Sequence, residues 1–516
     1  MNTATQPSQT RSFSTVFLIE MWERFGYYGM QALIVYYMVQ RLGFPDARAT
    51  LVWGAAAALI YVSPAIGGWI GDKILGTRRT MLIGAMVLTV GYSLMVVPGQ
   101  SVWFLFCALG VIVVGNGLFK ANAGNLVRKI YEGDDSRIDS AFTIYYMAVN
   151  LGAMISQLLT PKLKDYFNAH YGNGWGWHIA FLVCAVGLLV GLANYAVMRQ
   201  ALSHVGSAPD ERPMPWGKLA MVLAGAIVVV FLSAYILQNE NVARIFVYVA
   251  GVAVIGIFAW LISSGGSGER AGLIAALVLT IQTVFFFIFY QQYSTSLNLF
   301  ALRNVDPAFN VFGAHLWDWS PAQFQALNPI WIFILSPILA WIYTSAGKRD
   351  KDISIAAKFA LGFVVVAIGF FIFGAAGYYA APDGRVSSWL MVWGYGAISL
   401  GELLVSGLGL AMIARYVPSR MGGFMMGAYF VATGVSQYLG GVVASYASVP
   451  ENLTTTPLAS LPIYTALFDK LGIAALVCTG IAFAVLPLMK RLSDAHHVSN
   501  TVPAAAAGLP TVASEE

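Results

Sequence analysis

The sequence predicts an all-α membrane protein built from about fourteen spanning helices. Three observations predict it. Of its 516 residues, 58% are hydrophobic and only 10% are charged, whereas a soluble chain carries about a quarter charged residues. Mean hydropathy is +0.70. Apolar runs of roughly twenty residues, the length that crosses a bilayer, recur from one end of the chain to the other.

Six runs come first, at 14–39, 51–71, 80–97, 102–122, 140–163 and 177–198. A polar, proline-containing linker occupies 199–218, and two further runs follow at 219–237 and 243–263, almost free of ionisable groups. The stretch Ser263-Ser-Gly-Gly-Ser-Gly marks a flexible break. Six more runs lie at 271–294, 326–345, 355–378, 387–414, 421–447 and 464–489. The expected organisation is an N-terminal six-helix bundle (14–198), a linker with two extra helices (199–270), a C-terminal six-helix bundle (271–490) and a disordered polar tail (491–516).

An even number of spans puts both termini on one side. Lys73, Arg78, Arg79, Arg128, Lys129, Arg137, Lys348, Arg349, Lys351, Arg415, Arg420, Lys490 and Arg491 fall in loops on the side of the termini. The excess of positive charge there makes that side cytoplasmic. The segment before the first run is polar, with no apolar core, so it does not read as a cleavable signal peptide. Two six-helix halves joined by a cytoplasmic linker resemble the architecture of the major facilitator superfamily, whose substrates bind near the midplane between the halves, and the extra pair reads as peripheral packing.

The net charge of +5 is modest and calls for no nucleic-acid partner. Cys107, Cys184 and Cys478 sit in apolar runs and read as packing residues, so no disulfide framework, metal site or cofactor is expected. Glycine is frequent within the runs, as at Gly67-Gly68, Gly115 and Gly440-Gly441, where it lets helices approach closely.

The informative residues are the charges inside the runs. Each costs about 2.5–3.5 kcal/mol on insertion scales, so it marks a functional hypothesis. Glu20, Glu23 and Arg24 share one face of the first helix, and Tyr27, Tyr28 and Gln31 continue that face. Lys120 lies inside the fourth run and needs a carboxylate of the first helix as its partner. Glu402 is the intramembrane carboxylate of the second half. One half is therefore zwitterionic and the other acidic, a division suited to a ligand with an anionic and a cationic end. Tyr61, Tyr145, Tyr146, Tyr290, Asn150, Asn328, Gln291 and Gln292 are neutral candidates for the same cavity wall. The six histidines lie in loops, tail or span edges, with His178 borderline, which leaves proton transfer to carboxylates. Asp72, Arg78 and Arg79 follow the second run and form a candidate ion-paired gate. No His-Glu-x-x-His, Gly-rich phosphate loop or other catalytic motif occurs, so an enzyme is not expected.

Three ordered motifs carry a family resemblance. They are Glu20-x-x-Glu23-Arg24-Phe-x-Tyr-Tyr-Gly, the stretch Gly67-Gly-Trp-Ile-Gly-Asp72-Lys-Ile-Leu-Gly76-Thr-Arg78-Arg79, and Phe142-Thr-Ile-Tyr-Tyr146-Met-Ala-Val-Asn150-Leu-Gly152. Together they resemble the proton-dependent oligopeptide transporters. The resemblance implies symport of di- and tripeptides with protons through an inner membrane, with peptides, protons and the lipid bilayer as partners. The alternative it leaves is another small substrate, such as nitrate or a drug, on the same fold. It implies that Arg24 and Lys120 attract the peptide carboxylate and Glu402 the amine, while Glu20 and Glu23 exchange protons. Tyr28, Tyr61, Asn150, Gln291, Asn328 and Ser406 fall at its peptide-contacting positions. Two departures stand out: Gln31 and Gln291 replace an arginine and a glutamate that form a gating ion pair in many relatives. Losing both together strands neither charge, and the two amides can still hydrogen-bond.

Overall fold

The computed structural model describes residues 8–97, 101–172, 174–347, 353–405, 416–418, 422–450 and 456–501. Among these the first bundle is α1 (Gln9–Tyr36), α2 (Asp46–Ile70), α3 (Thr77–Val96), α4 (Val102–Ile130), α5 (Asp135–Tyr171) and α6 (Trp175–Met198). The extra pair is α7 (Trp216–Gln238) and α8 (Glu240–Ser264). The second bundle is α9 (Ser267–Tyr290) with its continuation α10 (Ser296–Asn304), then α11 (Leu327–Gly347), α12 (Ile355–Gly374), α13 (Ser388–Val405), α14 (Gly422–Ser445) and α15 (Pro457–Thr501). With α9 and α10 counted as one span, the chain crosses fourteen times.

Twelve of the described helices are long and apolar enough to cross a membrane on composition alone. The two that are not, α1 and α14, explain themselves. The first carries Glu20, Glu23 and Arg24, and the other is rich in Gly, Ser and Thr. Both are packed into the interior, α1 against α5 and α6, and α14 against α2 and α9, where neighbours rather than lipid cover them.

Close packing is set by glycine. A Cβ on Gly67 of α2 would stand 1.9 Å from the carbonyl oxygen of Gly117 on α4, so those two backbones touch directly.

Three features differ from expectation. The seventh span does not stop at Ser294: a tighter 3-10 turn at Gln291–Ser294 breaks it, and it resumes as α10. A β-hairpin follows, β1 (Ala308–Val311) pairing antiparallel with β2 (Ala314–Asp318). At the other end α15 runs to Thr501. The first residues of the segment expected to be disordered from 491 are therefore helical.

The extra pair rides on both bundles. α7 lies on α4 and α2, whereas α8 lies on α14 and α9, and the two legs touch each other only lightly. They are joined through the single residue Asn239.

Candidate functional site

A narrow polar cavity lies between the bundles. Tyr28 and Gln31 of α1 and Tyr146, Asn150 and Gln157 of α5 line one side. Tyr290, Tyr293, Gln325, Asn328 and Glu402 line the other. Asn150 and Gln157 are one turn and three turns along α5 from Tyr146, which gives all three the same face.

Glu402 is 7% exposed. Its Oε2 accepts a hydrogen bond from the Asn328 amide at 2.6 Å. Its Oε1 accepts one from the Tyr146 hydroxyl at 3.3 Å, across the two bundles. Asn328 also lies 3.0 Å from the Ser399 hydroxyl and 3.3 Å from that of Tyr293. The acid is thus aimed into the cavity by a small polar network rather than by a cation. Ser399 and Tyr293 were not singled out in the sequence, because neutral hydroxyls in a membrane helix carry no obvious cost.

The second charged group is on α1. Arg24 Nε is 3.3 Å from Glu20 Oε1 and 2.5 Å from Glu23 Oε2, and the guanidinium stands over the Tyr27 ring at 5.2 Å. Glu23 is wholly buried. The cluster is not saturated: Glu20 Oε2, Glu23 Oε1 and Arg24 Nη2 have no hydrogen-bond partner among the described residues. An incompletely paired buried ionic group is costly, and here two acceptor positions and one donor position stay open among the described residues.

Lys120 corrects an expectation. Among the described residues it makes no ion pair with Glu20 or Glu23. Its ammonium lies 4.8 Å above the centre of the Tyr61 ring, close enough to feel the charges of Arg24, Glu20 and Glu23 without touching them. Tyr61 holds Lys120 by a cation–π contact and does not line the cavity.

Gln31 and Gln291 also part company. Gln31 faces the cavity. Gln291 is buried with its amide nitrogen unpaired among the described residues, and its Cβ is close enough to Gly440 of α14 that only glycine fits there. The expected hydrogen bond between the two amides is not formed. Gln292 is structural, donating to the carbonyl oxygens of Ile288 and Gly440. Ser406 lies outside the described residues.

The expected gate at Asp72, Arg78 and Arg79 has different partners. Asp72 accepts from the Thr77 hydroxyl at 3.3 Å. Arg78 donates to the carbonyl oxygens of Leu202, Ser203 and Val205, and Arg79 to those of Pro209, Asp210 and Arg212. Both arginines hold the linker rather than Asp72. The missed residue is Asp210, which accepts from the backbone N–H groups of Arg78 and Arg79 at the start of α3. A Pro just before an Asp, after Ser207, is the local signal that could have found it.

The halves are joined on the face opposite the N-terminus. Arg303 of α10 makes a two-armed ion pair with Asp46 of α2, with the Nη2–Oδ1 arm at 2.7 Å, and also meets the Tyr464 hydroxyl. Tyr36 donates to the Asn298 carbonyl oxygen, Trp53 to the Ser294 hydroxyl and Gln323 to the Leu158 carbonyl oxygen. His178, borderline in the sequence, is buried near that face in the first turn of α6.

Known proteins place the chain. The model of the POT family matches residues 78–460. The dipeptide and tripeptide permease B of Aliivibrio fischeri is 41% identical over 486 residues, covering 94% of this chain and 95% of that protein. The dipeptide and tripeptide permease B of Salmonella typhimurium is 40% identical over 487 residues, covering 94% and 96%. A crystal structure of tetrameric PepTSo2 superposes with a TM-score of 0.86 at 68% identity, covering 94% of this chain and all of that one. A POT family transporter in complex with 5-aminolevulinic acid gives 0.79 at 29% identity, covering 93% and 96%. On these matches, and on a fold they share, the chain belongs to the POT family.

Proposed function

We propose that this chain is a proton-coupled symporter that imports di- and tripeptides by alternating access. It sits in the inner membrane with both termini cytoplasmic, the side on which the excess of Lys and Arg falls. The permease names of its relatives support the substrate class. The observation that carries the reading is the cavity, with a buried acid on one wall and an unsaturated Glu20–Glu23–Arg24 cluster buried on α1.

A zwitterionic peptide fits that division. Its ammonium group meets Glu402, and its carboxylate takes up the spare donor of Arg24 and the ammonium of Lys120. A proton on Glu20 or Glu23 weakens their hold on Arg24 and frees it for the carboxylate. With charges balanced, the bundles can rock from one opening to the other. The face joined through Asp46 and Arg303 is then the external one, closed in this conformation. Membrane potential adds about 2.3 kcal/mol per charge per 100 mV to drive the cycle.

The test is uptake of a labelled dipeptide by the purified protein in liposomes. An inward pH gradient should drive accumulation. Glu20→Gln and Glu23→Gln should abolish accumulation while sparing exchange of peptide for peptide. Normal accumulation by both variants would remove these carboxylates from the coupling role.

A further inference from the structure

The cavity has a second polar wall made of neutral amides. Gln31 of α1, Gln157 of α5 and Gln325 in the turn before α11 all line it. Gln157 and Gln325 are 4% and 3% exposed. Gln325 gives an amide hydrogen to the Ala32 carbonyl oxygen across the bundles, and its own Oε1 has no partner among the described residues. The Oε1 of Gln157 is likewise unpartnered. Buried carbonyl oxygens are normally paired, so two of them at one cavity wall are acceptors awaiting donors. Ala153 lies on the same face of α5 between Asn150 and Gln157 and also lines the cavity.

Position separates this wall from the charges. On α1 the order is Glu20, Glu23, Arg24, then Tyr28, then Gln31, so Gln31 is about two turns beyond Arg24. Glu402 is the one carboxylate among the lining residues. We infer that Gln31, Gln157 and Gln325 form a neutral subsite that reads a hydrogen-bonding side chain of the bound peptide, best met by a carboxamide. The inference rests on the proposed peptide transport, since it takes the peptide's two termini to be engaged by Glu402 and by Arg24 with Lys120. A carboxamide both donates and accepts, as the wall does. A charged side chain finds no counter-ion among these three residues.

The experiment measures inhibition of labelled dialanine uptake by alanyl-glutamine and by alanyl-leucine, which are similar in size. Gln157→Leu should shift the ratio of the two inhibition constants toward alanyl-leucine by about 3- to 10-fold, the worth of one neutral hydrogen bond. Gln325→Leu should shift it the same way. An unchanged ratio in Gln157→Leu overturns the subsite. Should that variant lose dialanine uptake, Gln157→Met, unbranched and of similar length, supplies the same ratio: a shift toward alanyl-leucine supports the subsite, and no shift overturns it. Failure of the wild type to take up dialanine overturns the peptide reading and the subsite together. Intact dialanine uptake with a flat ratio overturns the subsite alone.

Discussion

Glu402 is held by neutral donors, Asn328 from its own bundle and Tyr146 from the other. Among the described residues no cation pairs with it, so in the proposed amine role it would give an arriving ammonium group a charge-assisted bond of about 1.5–3 kcal/mol. Glu402→Gln should therefore weaken binding of a free dipeptide by about 10- to 150-fold. It should leave an amine-blocked dipeptide nearly as weak as it is on the wild type. Calorimetry on the purified protein reads both, and equal losses for the two peptides would take Glu402 out of the amine role. Asn328→Leu removes the shorter of the two bonds to the acid and should give a smaller loss in the same direction.

At the scale of elements, the start of α3 depends on a residue far along the chain. Asp210 accepts from Arg78 N and Arg79 N, while Ser207 accepts from Thr77 N and donates to the Gly71 carbonyl oxygen. Gly76, at φ +103°, leaves room for the carboxylate: a Cβ there would be 2.2 Å from Asp210 Oδ1. Asp210→Ala should lower stability by about 1–2 kcal/mol, the usual value of a helix N-cap, read as a drop in thermal midpoint in detergent. Gly67→Ala should do more harm, because its methyl has only the Gly117 backbone to displace. Loss of folded protein on size-exclusion chromatography is the expected result, and a monodisperse variant with normal uptake would contradict the direct α2–α4 contact.

These elements also show what a sequence displays and what it hides. Glu20, Glu23, Arg24 and Glu402 were legible because a charge in an apolar run is expensive and must be explained. Gln157, Gln325, Ser399 and Tyr293 were not, because neutral polar side chains are common in membrane helices and only the fold shows which face a cavity. Asp46 and Arg303 lie outside the apolar runs, and nothing local pairs residues so far apart. The helices themselves were legible from hydropathy. The short hairpin at 308–318 was not, since its pairing and not its composition makes it a sheet. The partners of Arg78 and Arg79 differ from expectation because Asp72 is near in sequence whereas the linker is near in space.

For the whole molecule, the face opposite the N-terminus carries a buried ion pair between the halves. The Asp46 and Arg303 side chains are 4% and 10% exposed. Removing one member leaves the other charge uncompensated at a cost of about 3–5 kcal/mol, and the conformation closed on that face bears most of it. Asp46→Asn should therefore shift the population toward separation at the ends of α2 and α10 that carry Asp46 and Arg303. Double electron–electron resonance between labels on those ends would show longer distances. Driven uptake should fall, and the exchange Asp46→Arg with Arg303→Asp should restore part of it. If the single variant kept the wild-type distance distribution, the pair would not govern closure.

The α7–α8 pair adds an asymmetry of its own. One leg is fixed to each bundle and a lone residue, Asn239, ties the legs together at one end. A one-residue connection holds the two legs close at that end, and few contacts between them hold them elsewhere. Asn239 lies on the face opposite the N-terminus, so the tie between the two legs sits at the same end of the molecule as the Asp46–Arg303 pair that joins the bundles.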